Sequence, residues 1–248
     1  MLVKSQVKYI QSLGHKKFRD ADGVFVAEGS KIVMELLQSD SLHLVHCFAT
    51  ESWLNAHKEI WKNRQEFFTE ISEKELERIS FHSSPNQVLA IFTKPVFKKS
   101  LRPEGLILLL DTIQDPGNLG TIIRTADWFG VKYIVCSEDT VDVFNPKVVQ
   151  SAMGSLVRVE INYRNLVEYI KMNPDVPVYA GSLTGEDLKE KIKLPKVMLL
   201  MGNESKGISH VLESLALKKI RIPGKGDAES LNVAVATGIF LSRIEMIS

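Results

Sequence analysis

Two unbroken aliphatic runs constrain this chain more than any other feature: "LILLL" at 106–110 and "VMLLM" at 197–201. A strand with one wet face alternates apolar and polar residues. A run with no polar interruption belongs to a strand covered on both sides, and such strands make mainly parallel sheets with helices packed on each face. Further strands are predicted at "VKYIVCS", "VRVEI", "VPVYAGS" and "LKKIRIP". Helices are expected to begin near Gly117, Asn145, Tyr163, Gly185 and Ser209, and a last one to span 231–247. The fold class for residues 106–248 is therefore α/β around a mainly parallel sheet.

A smaller alternation of strand and helix comes first. Residues 4–38 read as two helices separated by "RDADG", with "VFVAEG" as a short strand between them. "LHLVHCFAT" follows as a strand, "SWLNAHKEIWKNR" as a polar helix, "FFTEIS" as a strand, "EKELERIS" as a helix, and "QVLAIFTKP" as a strand that Pro95 ends. This makes a small α/β domain over 1–97. Proline, glycine and basic residues in "KPVFKKSLRPEG" suggest a linker at 98–105.

Charge narrows the partners only locally. The net charge is +1, yet residues 1–19 hold Lys4, Lys8, Lys16, Lys17 and Arg19 and no acid. Such a run is either a nucleic-acid footprint or the wet face of an amphipathic helix. Cys47 and Cys136 sit singly among apolar neighbours, as buried thiols do in a reducing compartment. No apolar stretch approaches the ~18 residues of a membrane span, and no signal-peptide core opens the chain, so a cytoplasmic location is expected. His43, His46 and Cys47 are close in sequence, but alternation along a strand turns His43 and His46 to opposite faces, and no metal site is expected.

Parallel sheets bind ligands outside the carboxyl ends of their strands, and three such ends carry unusual sequence. "DTIQDPGNLGTIIRTADWFG" (111–130) makes a tight turn in which Asn118 can cap the next helix and Arg124 lies in its early turns. "MLLMGNESKGIS" (198–209) puts Gly202, Asn203, Glu204 and Gly207 after a buried strand. "IRIPGKGDAESLNVAVATGIF" (220–240) places Ser230, a good cap, and Asn232 before a helix of small apolar residues. Each admits a purely structural reading: a helix start, a surface ion pair, a cap. The G-x-G-x-x-G and Walker patterns are absent, which argues against a dinucleotide-dependent oxidoreductase and a nucleotide-phosphate loop.

Taken in order, "NxGxxxRTA", "GNExxG" and "PxxGxxxSLNVAVA" resemble the three signature motifs of the SpoU (TrmH-like) RNA ribose 2′-O-methyltransferases, in the SPOUT superfamily. The resemblance covers roughly 106–248. "FVAEGSKIVMELL" is similar to the α/β substrate-binding domain often fused to these enzymes. What this implies is a C-terminal domain tied in a trefoil knot, and S-adenosylmethionine held by three loops. Those loops would supply Leu183, Thr184 and Gly185; Met201, Gly202, Asn203 and Gly207; and Ile222, Pro223 and Leu231. Arg124 matches the family's catalytic arginine, and Asn118, Glu204, Ser230 and Asn232 match the other polar motif positions. A homodimer is implied, with RNA as substrate and Lys4, Lys8, Lys16, Lys17 and Arg19 as its contacts. An appended N-terminal domain, suited to locating a structured stem-loop, places ribosomal RNA ahead of transfer RNA. A non-catalytic RNA-binding protein on the same scaffold is the rival reading. Near the linker, Asn86 and Val88 flank Gln87 where many relatives have histidine and glycine, which bears on the target nucleotide rather than the chemistry.

Overall fold

A computed structural model describes residues 1–95, 104–188 and 190–247. They fall into two compact units: Met1–Val96 with Phe144–Val157, and Phe97–Val143 with Arg158–Ser248. Residues 144–157, which the sequence reading kept with the second stretch, thus pack with the first. Of the expected linker, only Glu104 and Gly105 are among the described residues.

The first unit opens with α1 (Lys4–Ser12), α2 (Lys16–Asp22), β1 (Val24–Glu28) and α3 (Ser30–Leu37). Both helices before β1 are short, and "RDADG" is the end of α2 and its cap rather than a spacer: Gly23 closes the helix at φ +66°. Next come β2 (Leu44–Ala49), α4 (Glu51–Ala56), α5 (Lys58–Trp61), β3 (Phe68–Glu70), α6 (Glu73–Ile79) and β4 (Val88–Thr93). The expected polar helix over 52–64 is interrupted at His57, whose backbone leaves helical geometry at φ −126°, ψ 35°. The strands order β1-β4-β2-β3, antiparallel except for the β2/β3 pair. Ile10, Leu13, Val26, Leu76, Ile79 and Leu89 build the core beneath α1 and α6. Phe144, from the later stretch, packs its ring 5.1 Å from Phe25.

The end of α6 nearest the chain start is held by a reciprocal cap. Ser72 Oγ accepts from Glu75 N, while the Glu75 carboxylate accepts from Ser72 N and, at 2.6 Å, from Leu2 N. Those backbone donors, Ser72 first, lower the Glu75 pKa to about 2 from the usual 4.5. A depressed carboxyl contributes stability that is complete above the unfolded value and lost as pH falls toward the folded one. Glu75→Gln should therefore melt at a lower temperature than the parent at pH 7, and the gap should close between pH 4.5 and pH 2. Thermal melts across that range check it; a gap independent of pH refutes it.

The second unit runs β5 (Leu106–Leu110), α7 (Pro116–Trp128) and β6 (Tyr133–Cys136). After the helix lent to the first unit, α8 (Pro146–Ala152), it resumes with β7 (Glu160–Tyr163), α9 (Leu166–Lys171), β8 (Val178–Asp187), β9 (Ile192–Leu194) and β10 (Val197–Met201). It ends with α10 (His210–Glu213), β11 (Lys218–Arg221), α11 (Val233–Arg243) and β12 (Ile244–Met246). Six strands order β11-β8-β10-β5-β6-β7, and every neighbouring pair is parallel. The two aliphatic runs are its central strands, side by side from Val197↔Leu106 to Met201↔Leu110. Ile107, Leu109, Met198 and Leu200 pack into one cluster with Tyr169, Ile170 and Leu212. Leu108, Leu110, Leu199 and Met201, which point the other way, are also buried. Both faces are covered, as the lack of alternation predicts.

Three expectations are corrected here. No helix begins near Gly185: β8 continues to Asp187, and its pairing with β11 jumps from Lys219↔Ala180 to Ile220↔Glu186, so residues 181–185 arch out of that ladder. The helix expected near Tyr163 starts at Leu166, because Asn165 Oδ1 caps it by accepting from Glu168 N. The last helix spans Val233–Arg243 rather than 231–247, and Ile244–Met246 leaves it to pair in parallel with β9.

Candidate active site

β5 and β10 are hydrogen-bonded neighbours, yet the chain leaves β5 outward through β6 and β7 and reaches β10 from β8 on the other side. In sheets of this kind such a reversal of strand order marks where ligands bind, outside the carboxyl ends of the strands. The loops after β5, β10 and β11 all emerge along this edge.

The first loop runs into α7. Asp115, not Asn118, is the cap: its Oδ1 accepts from Asn118 N at 2.8 Å, with Pro116 preset at the first helical position. With capping done by Asp115, the Asn118 side chain is free to reach sideways. Its Nδ2 donates to Glu204 Oε1 at 2.7 Å, and its Oδ1 accepts from Asn232 Nδ2 at 2.8 Å. Asn232 in turn caps α11, its Oδ1 accepting from Ala234 N and Val235 N at 2.9 and 3.3 Å. Asn232 is thus the cap there, rather than Ser230.

The polarity of this chain is fixed by what each end can do. Helix N–H groups only donate, so they require the oxygen of Asn232, and a carboxylate only accepts, so it requires the nitrogen of Asn118. Between these ends only one orientation of both amides satisfies every atom. Residues 86 and 114 positions apart are thereby joined in one line across three loops.

The loop after β10 is closed on itself. Asn203 and Gly207 exchange backbone hydrogen bonds at 3.0 and 2.9 Å, and Asn203 Oδ1 accepts from Ser205 N and Lys206 N. A Cβ on Gly202 would collide with the backbone of Gly207 and Ile208, so only glycine lets this turn fold so tightly. Gly185 is the counterpart in the 181–185 arch: a Cβ there would stand 2.6–2.8 Å from the backbone of Lys219 and Ile220.

The other sequence-derived residues fall into distinct surroundings. Arg124 is exposed on α7 and makes no hydrogen bond or ion pair with any described residue. Ser230 is exposed and equally uncommitted among the described residues. Leu183 and Leu231 leave 63% and 47% of their surface open, while Pro223 is exposed and Ile222 half-buried. Thr184 bonds within the arch to Ser182. Met201 is buried, so it can offer its surroundings only backbone, and its carbonyl already accepts from Asp111 N. Lys4, Lys8, Lys16 and Lys17 are exposed on α1 and α2 of the first unit. Arg19 is not: it is 1% exposed, and its Nη1 donates to Leu13 O at 2.7 Å, so it ties the turn between the two helices instead of facing a partner.

Sequence reasoning overlooked Asp111, Thr112 and Asp115. The Asp-Pro step at 115–116 is a legible helix start; the roles of the other two are tertiary. A hollow lined by Tyr179, Glu186, Asp187, Lys191 and Lys218 holds none of the site residues, and Glu186 and Asp187 there are paired with Lys218 and Arg221. Among the described residues no three His, Cys, Asp or Glu side chains are grouped to hold a metal.

Asn118→Asp tests the amide chain without reference to activity. It sets a second carboxylate against Glu204, and like charges disfavour ionisation. The variant should be less stable than the parent at neutral pH by about 1 kcal/mol and recover as acid protonates one of the pair. Equal melting curves at pH 7 would show that the contact does not form.

Comparison with known proteins gives consistent results for both units. The profile of the SpoU rRNA Methylase family matches residues 105–242, and that of the MRM3-like substrate binding domain matches residues 4–90. The chain is 32% identical over 243 residues to 23S rRNA (guanosine(2553)-2'-O)-methyltransferase RlmP of Bacillus subtilis, covering 95% of this chain and 94% of that one. It is 26% identical over 289 residues to the mitochondrial rRNA methyltransferase 3 of Mus musculus, covering 91% and 68%. Among solved structures, an AdoMet-bound rRNA methyltransferase from Sinorhizobium meliloti superposes with a TM-score of 0.84 at 34% identity, covering 98% and 95%.

Proposed function

This chain belongs to the SpoU rRNA methylase family, and on that premise we propose that it methylates a ribose 2′-hydroxyl of structured RNA using S-adenosylmethionine. Ribosomal RNA is the substrate class, ahead of transfer RNA, since the relatives RlmP and rRNA methyltransferase 3 carry that substrate in their names. The observation that carries the reading is the Glu204–Asn118–Asn232 chain, which knits the three motif loops at the sheet edge.

The residues on that edge fit the cofactor. Its purine is flat and apolar-faced with polar edges, and Leu183 and Leu231 offer uncovered apolar surface. The loop closed by Asn203 and Gly207 and the run of exposed residues 223–232 offer backbone groups for its edges. Bound there, the cofactor supplies a methyl group on a sulfonium, already a good leaving group. What remains for the protein is to align the 2′-oxygen and to favour its charge. Alignment can be worth several kcal/mol.

Arg124 suits the second task. A guanidinium offers five N–H donors and no acceptor, so it would act as a donor and not as a proton acceptor. With no described internal partner, it is open to the phosphate beside the target ribose and to negative charge developing on the 2′-oxygen. Ser230, equally uncommitted, is a donor for the methionine portion or the ribose. Lys4, Lys8, Lys16 and Lys17 would contact RNA phosphates from the first unit.

The reading includes a trefoil knot in the second unit, supported by the close passages of backbone at Gly185 and Gly202. It also includes a homodimer. α7 and α11 pack closely, so that a Cβ added at Gly238 would stand 3.4 Å from Thr125 Cγ2, and they leave Trp128 85%, Phe129 43% and Val235 52% exposed. Apolar surface of that size on adjoining helices fits a second copy of the chain. Two free, buried cysteines fit a cytoplasmic location.

Arg124→Ala should lower methyl transfer to transcribed 23S rRNA by at least about a hundredfold, leaving melting temperature and S-adenosylmethionine binding unchanged. Activity within a few-fold of the parent, in a labelled-methyl assay, refutes the assignment. Light scattering should give twice the chain mass at micromolar concentration, and Trp128→Lys should give the monomer mass. A monomeric parent would remove the dimer.

A further inference from the structure

We propose that Asp111 is a positioning residue of the methyl-transfer site, holding the 203–209 loop against the start of α7. The inference rests on the function proposed above. It starts from a residue that the motif comparison leaves unassigned: a carboxylate at the end of the central strand β5, 6% exposed, with no cation paired to it among the described residues.

Both of its oxygens are committed. Oδ2 accepts from Ser209 N at 2.8 Å, and Oδ1 accepts from Thr112 Oγ1 at 3.1 Å. Thr112 itself is held at φ +59°, a left-handed conformation that a β-branched residue adopts only when its surroundings over-determine it. The surroundings are identifiable. Thr112 N donates to Ser137 Oγ at 2.8 Å, and its carbonyl accepts from Asn203 Nδ2 at 2.8 Å. Ser137 is steadied in turn by Thr140, whose hydroxyl lies 3.1 Å away.

The two residues therefore grip the 203–209 loop at both ends: Asn203 through the Thr112 carbonyl, Ser209 through the Asp111 carboxylate. Glu204, the acceptor that orients Asn118, lies between the two grips. The same two residues lead into the turn before α7, which carries Asn118 and Arg124. A shift at 111–112 would move the cofactor loop and the amide chain together, although neither Asp111 nor Thr112 belongs to that chain.

The grip needs acceptors, not charge. In Asp111→Asn the remaining oxygen can take Ser209 N, and the new amide can donate to the Thr112 hydroxyl, which turns to accept. In Asp111→Ala both partners lose their acceptor. Calorimetry should show S-adenosylmethionine binding weakened at least about tenfold in Asp111→Ala and within about twofold of the parent in Asp111→Asn, with affinity for transcribed 23S rRNA unchanged in both. Parental cofactor affinity in Asp111→Ala overturns the proposal. So does equal weakening for cofactor and RNA, or an Asp111→Asn variant as poor as Asp111→Ala. If Asp111→Ala does not fold, Ser137→Ala decides: it removes the acceptor of Thr112 N without altering a residue of the 203–209 loop or of the turn before α7, and should weaken the cofactor about threefold, while no change overturns the proposal. A parent protein that binds no S-adenosylmethionine would fail the function itself, a different result from either.

Discussion

The pairing of β5 with β10 is the constraint from which the rest follows. Both strands are buried on both faces, so neither can present a polar side chain until it ends. In a parallel pair they end together, Leu110 opposite Met201. The first polar residues after each strand, Asp111 and Thr112 on one side and Asn203 and Glu204 on the other, are thus delivered to the same place. Apolar burial of this kind, roughly 1.5–3 kcal/mol for each Leu or Met side chain, fixes the position of groups that themselves contribute little to stability. The sheet supplies the rigidity and the loops supply the chemistry.

Hydrogen-bond polarity then converts proximity into geometry. A cluster of amides and a carboxylate could in principle rearrange, since an Asn side chain can turn over and satisfy different partners. Here the α11 N–H groups at one end and the Glu204 carboxylate at the other remove that freedom. Such a line costs little to form because its members sit on elements already placed by the core. It would be expensive to reverse, because reversal sets donors against donors and acceptor against acceptor.

Much of this was legible in the sequence, for a definite reason. The absence of alternation in "LILLL" and "VMLLM" is a direct consequence of burial on two faces, so strand type, sheet type and the siting of the motifs at carboxyl ends followed from it. The details that escaped are those in which one local signal competes with another or with a distant partner. Asn118 and Ser230 are both good caps, but Asp115 and Asn232 stand nearer the actual helix starts and take the role, which changes what Asn118 is free to do. Gly185 looks like a helix start beside its Thr and Glu neighbours, but its use is to pass the β11 backbone, a contact with no local trace. Arg19 belongs to a basic run yet faces inward, because the carbonyl of Leu13 at the turn between α1 and α2 takes its guanidinium. Ile244–Met246 is apolar enough to prolong α11, and only β9 explains why it does not.

The contrast between the two arginines bears on mechanism. Arg19 is buried and bonded to Leu13 O; its charge is spent on the fold. Arg124 stands on a helix whose neighbours on the same face, Thr121 and Trp128, offer it no carboxylate, and Thr121 instead returns its hydroxyl to Gly117 O. Asp127, the nearest acid along α7, is paired with Arg158 at 2.8 Å. The acid within reach along the helix is thus already answered elsewhere, and under the proposed function the guanidinium would be open to an anion that arrives from outside. A phosphate next to a ribose is such an anion, and binding it would carry the 2′-oxygen to the edge where Asn118 and Glu204 are already set.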